Sequence, residues 1–447
     1  MSAATPALPA RRSGLDAVDL GLIVVFLLGL YLGVSLPITS KIPLTCAPSG
    51  FAGLILLWRH RDDITTVGLA GLLGVIAVFI LSILSAADYS HLAKRFTGLI
   101  QLVYSLVIGY GLFLALVRGE RSQIAWILLG FCLFIVVGCL LENHTALREL
   151  SDRVRERLYD RGLVYDADLR DEVLYGKVRP KLFTSEPSAV TFAFTHYCSA
   201  WLVISPWRWK FLVYLGLMAG ALVVMPGPTL VLMLLLTAPY LLFLAGQGRS
   251  GGARIAGAAA VSVLLVVATI VIGKSLFAER LNELASGKDA SFFYRFTGPA
   301  LVALDIFKHH TWAGAGLTGE PYIANDVINV YMNASGFQAA WRITRVSEAL
   351  TNYFFLHWIY LGLVWGILVL IALSVWLRML GVTSLAYCWA AWVILGQASG
   401  SYVGPKTWAV LLIAAAASIL TAPDRRRLAV LTPVKGPPVQ TPERVPA

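Results

Sequence analysis

Apolar runs recur along this chain with polar breaks between them, at about 20–36, 44–58, 67–85, 98–117, 124–141, 187–205, 210–225, 229–246, 253–273, 353–377, 382–398 and 405–421. Each approaches the ~20 largely apolar residues a helix needs to cross a hydrocarbon layer, so the pattern predicts an all-α integral membrane protein of about 12 transmembrane helices. The second and seventh runs are short, which keeps about eleven or ten spans open. Two polar intervals, 142–186 and 274–350, exceed all the others, and loops of that length in a compact bundle are usually functional or disordered. The expected organisation is a segment 1–19, spans over 20–141, a loop 142–186, spans over 187–273, a loop 274–350, spans over 351–421 and a tail 422–447.

Composition removes the soluble alternative. Hydrophobic residues form 58% of the 447 and charged residues only 14%, with a mean hydropathy of +0.74. A water-soluble domain cannot hide that much apolar surface. Charge then gives orientation. With the N-terminus inside, the inner breaks carry Arg11, Arg12, Arg59, Arg61, Arg118, Arg121, Arg208, Lys210, Arg249, Arg254, Arg378, Arg425, Arg426 and Arg427. The short outer breaks carry Lys41, Lys94, Arg95 and Lys406, so both long loops are expected outside. The net charge of +11 is largely topological, and no nucleic-acid partner is expected. Arg11 and Arg12 ahead of an apolar run mimic a signal peptide, but no small-residue cleavage site follows Leu36, and a retained first span is expected. Cys132, Cys139, Cys198 and Cys388 fall within spans and Cys46 near the outer surface, with no disulfide framework or zinc spacing. The proline-bearing tail from Thr432 is expected to be a disordered cytoplasmic end.

The chemistry lies in the two loops. In the first, Leu150, Val154 and Leu158 recur at helical spacing and predict a surface helix. Asp166-Ala167-Asp168 has the form of a carboxylate pair for a divalent cation, but in so charged a stretch it reads as solvated surface, and no metal is expected. The loop ends in Arg179-Pro180-Lys181-Leu182-Phe183-Thr184-Ser185-Glu186-Pro187-Ser188, where Pro187 suits a first helical turn. Glu186 is either a helix cap or a carboxylate at the membrane boundary that serves as a general base beside Arg179 and Lys181.

In the second loop, Arg295 sits among Phe292, Phe293, Tyr294 and Phe296, ahead of an expected interfacial helix over Ala300 to Phe307. His309-His310 reads as wet histidines rather than a metal pair. Gly314-Ala315-Gly316-Leu317-Thr318-Gly319 spells a dinucleotide fingerprint without a preceding strand or a following acid, which leaves a glycine turn after the interfacial helix. Arg345, Glu348 and Asn352 recur at helical spacing just ahead of the tenth span, as an ion pair of surface type or as a polar face with Arg342 for phosphate groups.

In these stretches the chain resembles the bacterial O-antigen ligase and polymerase superfamily, membrane enzymes that move glycan from an undecaprenyl pyrophosphate carrier. Thr184-Ser185-Glu186-Pro187-Ser188 looks like the element before a span in Wzy-type polysaccharide polymerases. Arg295 with Asp305 through Leu317 is similar to the superfamily's arginine, amphipathic helix and Gly-x-Gly turn. Thr351-Asn352-Tyr353-Phe354-Phe355 through Leu361-Gly362-Leu363-Val364-Trp365-Gly366 is similar to its closing helix. Thr351 stands where ligases carry a histidine, and Met225-Pro226-Gly227-Pro228-Thr229 where they carry a Ser-Arg pair, which favours polymerase. Against that, the paired Arg-x10-Gly motifs of some polymerases are absent.

The resemblance implies a GT-C-like, inverting, metal-independent glycosyltransferase without cofactor in the bacterial inner membrane, with both large loops and the active site periplasmic. It implies undecaprenyl-pyrophosphate-linked glycan and membrane lipid as partners, with a chain-length regulator beside them. The residues expected to carry the reaction are Glu186, Arg295 and Glu348, with Arg179, Lys181, Arg342, Arg345 and Asn352 binding substrate. His196, about three turns inside its span, is expected to be structural. A ligase and a lipid-linked oligosaccharide flippase are the competing expectations.

Overall fold

A computed structural model describes residues 14–39, 42–85, 89–160, 164–245, 292–334 and 346–422, with isolated positions between 252 and 271 and residue 337. Most of its helices lie on the predicted apolar runs, and the rest lie in the two long polar intervals. The helices are α1 (Ala17–Leu32), α2 (Ala47–Arg59), α3 (Thr66–Leu84), α4 (Leu92–Arg118), α5 (Arg121–His144), α6 (Leu147–Leu158), α7 (Asp168–Tyr175), α8 (Pro187–Ile204), α9 (Lys210–Val224) and α10 (Leu232–Phe243). After the second long interval come α11 (Gly298–His309), α12 (Ala324–Met332), α13 (Val346–Ala349), α14 (Tyr353–Met379), α15 (Leu385–Gly396) and α16 (Pro405–Leu420). Of the ninth run, 253–273, only residues 257, 260–263, 267 and 271 are described, and these are helical.

Among the described residues four helices, α3, α4, α5 and α14, are long and apolar enough to cross a membrane, and α1, α9, α10, α15 and α16 are shorter apolar helices. Their ends carry sequence-encoded stops. Asp16 accepts from the Asp19 amide at 2.8 Å to cap α1, and Gly33 ends it in the left-handed region. Glu120 and Gln123 form a capping box at the start of α5. Burial separates centre from rim: the apolar window of α4 is 72% buried against 33% for α3, so α4 is the central post and α3 faces outward. It packs against α2 and α16, where Ala414 to Ala417 are all buried. Trp58, Leu73, Trp126, Val223 and Ile371 are exposed, an apolar surface that lipid and not water would cover. At one end of the bundle Arg59 bridges Asp16 and Asp19, at 2.6 Å each, and Arg118 pairs with Asp63 at 2.5 Å.

Three details depart from the sequence reading. A two-stranded antiparallel hairpin, β1 (Leu36–Thr39) and β2 (Ile42–Leu44), joins α1 to α2 in a chain expected to be all helix. The surface helix α6 exists, but Leu150 and Leu158 are exposed while Ser151 and Arg155 are buried, because those polar side chains satisfy the backbone of the segment before α8. Finally, α13 stops at Ala349, so Glu348 and Asn352 do not share one continuous helical face; Asn352 instead caps α14.

The expected interfacial helix is α11, which buries Pro299, Val302, Ala303 and Ile306 and packs on α14. The glycine turn follows it, and α14 is broken where the turn meets it. Gly362 has φ 64° and ψ −170° inside that helix, a conformation essentially reserved for glycine. The amide and carbonyl groups freed by the break pair with the turn: Ala315 and Gly316 amides donate to the Ile359 and Tyr360 carbonyls at 2.9 and 2.8 Å, and Leu363 and Trp365 amides donate to Thr311 and Trp312 at 2.8 and 3.2 Å. A methyl group on Gly362 would stand 2.7 Å from the carbonyl oxygens of His310 and Thr311. Gly362→Ala is therefore expected to destabilise the protein by at least the ~1–3 kcal/mol cost of that backbone conformation, read as a lower thermal midpoint in detergent.

Candidate active site

The segment from Lys181 to Glu186 is held open and rigid by polar groups from two helices. Glu142, at the end of α5, accepts from the Lys181 and Leu182 amides at 2.9 and 2.6 Å. Buried Arg155 donates to the Thr184 carbonyl at 2.7 Å and to the Ser185 carbonyl at 3.1 Å, and Ser151 accepts from the Phe183 amide at 2.9 Å. These contacts hold Leu182 and Phe183 at positive φ, 33° and 65°, which non-glycine residues adopt only when the surroundings impose it. The segment delivers Glu186 to the start of α8, with Pro187 in the first turn. Glu186 occupies the cap position, yet its side chain makes no bond to the helix amides. Its carboxylate accepts a short hydrogen bond from the Ser188 hydroxyl instead.

Arg295 reaches the same hydroxyl from the other loop. It lies in a π-helical turn, Phe293–Thr297, and its Nη2 donates to Ser188 Oγ at 3.2 Å. Asn352, fully buried, fixes that turn: its Nδ2 donates to the Arg295 carbonyl and to Gln397 Oε1, both at 2.9 Å, while its Oδ1 caps α14 through the Phe354 and Phe355 amides. Thr351 Oγ1 adds a bond to the Tyr294 carbonyl at 3.2 Å.

Two cavities adjoin at this point. One, of about 340 Å³, is lined by Tyr165, Tyr175, Arg179, Thr229, Tyr294 and others; the second, of about 210 Å³, by Phe192, Ala398, Ser399, Gly400, Lys406 and others. Glu186, Ser188, Arg295 and Thr351 belong to both walls. In the larger cavity, the guanidinium of Arg179 is bound to fully buried Asp171 at 2.7 Å and lies 4.5 Å from the Tyr175 ring centre. Burial opposes that charge, but the hydrogen bonds and negative charge of Asp171 outweigh it and hold Arg179 above its ordinary range. Burial raises the Tyr165 hydroxyl too, and its hydrogen bond to Asp171 at 2.8 Å adds to the effect. Tyr294 is likewise raised by burial.

The structure thus brings Glu186, Arg295 and Arg179 to one cavity, with Asn352 behind it as a support. Lys181 is turned away: its ammonium pairs with Asp168 at 2.8 Å, which places one half of the Asp166-Ala167-Asp168 motif in an ion pair. Arg342 and Arg345 lie outside the described residues, and of Glu348 only the helical backbone is described. His196 is buried within α8 against a separate cavity of about 20 Å³, and a wider hollow of about 990 Å³ between Glu142 and Val178 contains none of the expected site residues. Sequence reasoning missed Ser188, Asp171, Glu142, Arg155 and Gln397. A buried acid closing an apolar helix, as Glu142 does, is a usable signal, since lone charges there are costly. The pairing of Asp171 with Arg179 carries none.

In comparisons with known proteins, no family model and no curated protein matches this chain.

Asn352→Asp keeps the cap acceptor but sets an anionic oxygen against the Arg295 carbonyl. It is expected to lower stability by about 1–3 kcal/mol. Asn352→Ala, which also loses the cap, is expected to cost a further ~0.5–2 kcal/mol, with thermal unfolding of the purified variants as the measurement.

Proposed function

We propose that this chain is a glycosyltransferase of the bacterial inner membrane that polymerises undecaprenyl-pyrophosphate-linked oligosaccharide repeats into O-antigen or exopolysaccharide at the periplasmic face, on a GT-C-like scaffold of about 12 spans. The supporting observation is the junction of two cavities at Glu186, Ser188 and Arg295. A reaction joining two bulky glycans needs two rooms that share one reacting point, and a carboxylate and a guanidinium stand at that point.

In this reading an acceptor hydroxyl attacks the anomeric carbon from the side opposite the carrier. A new C–O bond forms, the bond from that carbon to the pyrophosphate oxygen breaks with its electron pair, and configuration inverts. Glu186 takes the hydroxyl proton as general base. Arg295 stabilises the charge that develops on the departing pyrophosphate; a hydrogen bond to a charged group contributes about 1.5–3 kcal/mol, or roughly 10- to 150-fold in rate. Arg342, Arg345 and Glu348 belong to the same proposal as further phosphate or acceptor contacts, and Arg179 as a wall of the acceptor room, its charge already committed to Asp171.

A transport reading draws on the broken helix α14, since transporters use discontinuous helices to bind cargo. Here the groups freed at Gly362 are taken by the Thr311–Gly316 turn, so they are not offered to a ligand. The two readings part in a strain lacking the native protein. Glu186→Gln is expected to cut polymer formation at least ~100-fold and Arg295→Gln at least ~10-fold at normal protein levels, with carrier-linked single repeats accumulating on the outer leaflet. Long-chain glycan persisting in Glu186→Gln would overturn the base assignment. Accumulation on the inner leaflet would favour the flippase, and chains of normal length that fail to attach to lipid A core would favour the ligase.

A further inference from the structure

The end of the bundle that holds Arg59 and Arg118 carries a second group of cations. Arg59 is bound to Asp16 and Asp19, Arg118 to Asp63, and Arg61, over the ring of Trp58, has Asp62 next to it in the chain. The second group lies in the turn between α8 and α9, Pro206-Trp207-Arg208-Trp209-Lys210. That turn stands beside the start of α5, since Arg121 Nε donates to the Ile204 carbonyl at 3.1 Å. No aspartate or glutamate occurs between Glu186 and Glu279, and Glu120, beside Arg121, closes the capping box of α5. Among the described residues no carboxylate pairs with Arg208 or Lys210, and rings hold them instead. The Arg208 guanidinium lies 4.9 Å from the ring centre of Trp209 and Lys210 Nζ 5.0 Å from that of Tyr240. Lys210 also donates to the Ser205 carbonyl at 3.2 Å, where α8 ends. A helix C-terminus is equivalent to roughly half a negative charge, so two full cations beside it leave the turn positive.

Around these cations the surface is first aromatic and then apolar. Trp126 and Trp207 meet edge to face at 5.0 Å, and Trp126 and Trp209 are 58% and 57% exposed. Indole rings favour the headgroup level of a bilayer, where the ring body meets acyl chains and the N–H meets water. Beyond Lys210, α9 turns Leu212, Leu215, Gly216, Ala219 and Val223 outward, positions that share one helical face. Gly216 and Ala219 are small, so this face is a shallow furrow between larger side chains, and a Cβ at Gly216 would meet nothing within 4 Å. An acyl chain laid along that furrow brings its phosphate to the turn.

We propose that the α8–α9 turn is a binding site for an anionic glycerophospholipid, whose phosphate is held by Arg208 and Lys210 beside Trp209 and whose acyl chain follows the exposed face of α9. Charge selects the occupant: a phosphate with no cation of its own gains from both side chains, while the ammonium of a zwitterionic headgroup meets like charge there. The site is independent of the glycosyl-transfer reading, because it needs only that lipid surrounds the bundle at α9.

The test is native mass spectrometry of the full-length protein released from detergent, with phosphatidylglycerol, phosphatidylethanolamine and inorganic phosphate as separate probes. The unaltered protein is expected to bind phosphatidylglycerol at least about tenfold more tightly than phosphatidylethanolamine. Arg208→Gln, at an exposed position that leaves the fold intact, is expected to weaken phosphatidylglycerol at least about threefold, and Arg208→Gln combined with Lys210→Gln at least about tenfold, with phosphatidylethanolamine changed less than about twofold. Arg208→Lys combined with Lys210→Arg keeps both charges and is expected to hold affinity to within about threefold. Arg61→Gln removes a cation from the same end of the bundle away from the turn, and is expected to change phosphatidylglycerol binding less than about twofold. Inorganic phosphate, which has no acyl chain for the furrow, should not displace the lipid. Equal affinity for the two lipids, or unchanged phosphatidylglycerol binding in Arg208→Gln, would overturn the site. So would a loss in Arg61→Gln equal to that in Arg208→Gln, which would show the lipid sensing only a diffuse surface charge. Displacement by inorganic phosphate would overturn the choice of a lipid as occupant.

Discussion

Within a hydrocarbon layer a backbone hydrogen bond that is broken must be remade by the protein itself, because no water is there to take its place. The chain meets this constraint most directly at Gly362, where α14 comes apart about ten residues after its start and the turn Thr311–Gly316 supplies the missing partners. That short ladder ties the second long loop to the bundle. It also sets the position of the first half of α14, and through Asn352 the position of the π-helical turn that bears Arg295. Strength here comes from main-chain pairing, so it depends little on which side chains the loop carries.

The other loop is fixed by different means. Glu142 and Arg155 each bind several main-chain groups of the Lys181–Glu186 segment, and both are buried. A buried charge is tolerable when it is fully hydrogen-bonded, and these two are stabilised by a strained stretch of backbone that in turn is stabilised by them. The site therefore stands where two separately anchored segments meet, and among the described residues the Ser188 hydroxyl, at the start of α8, is hydrogen-bonded to both Glu186 and Arg295.

Helix positions were legible because hydrophobic length is a strong signal in lipid, and α1 to α5, α8 to α10 and α14 to α16 follow the apolar runs. Pro187, the glycine turn and Glu186 were legible for local reasons, each residue type having a known place at helix starts or tight turns. The buried face of α6 was not. Its leucines mark an amphipathic helix, but which face turns inward was decided by carbonyls about thirty residues away that needed Arg155. The same limit applies to Arg179, whose availability for phosphate depends on Asp171. Local pattern encodes elements; the pairing of charges is a property of the assembled bundle.

Ser188 has one more implication. Glu186 and Arg295 do not touch; the hydroxyl accepts from one and donates to the other. Held a side chain apart, the carboxylate and the guanidinium keep their opposite charges instead of joining in a direct salt bridge, and the serine acts as a spacer whose bulk matters as much as its polarity. A smaller residue would let the two charges collapse onto each other, and a larger one would wall the rooms off. Substitution at this position therefore meets two penalties of opposite kind, one electrostatic and one steric.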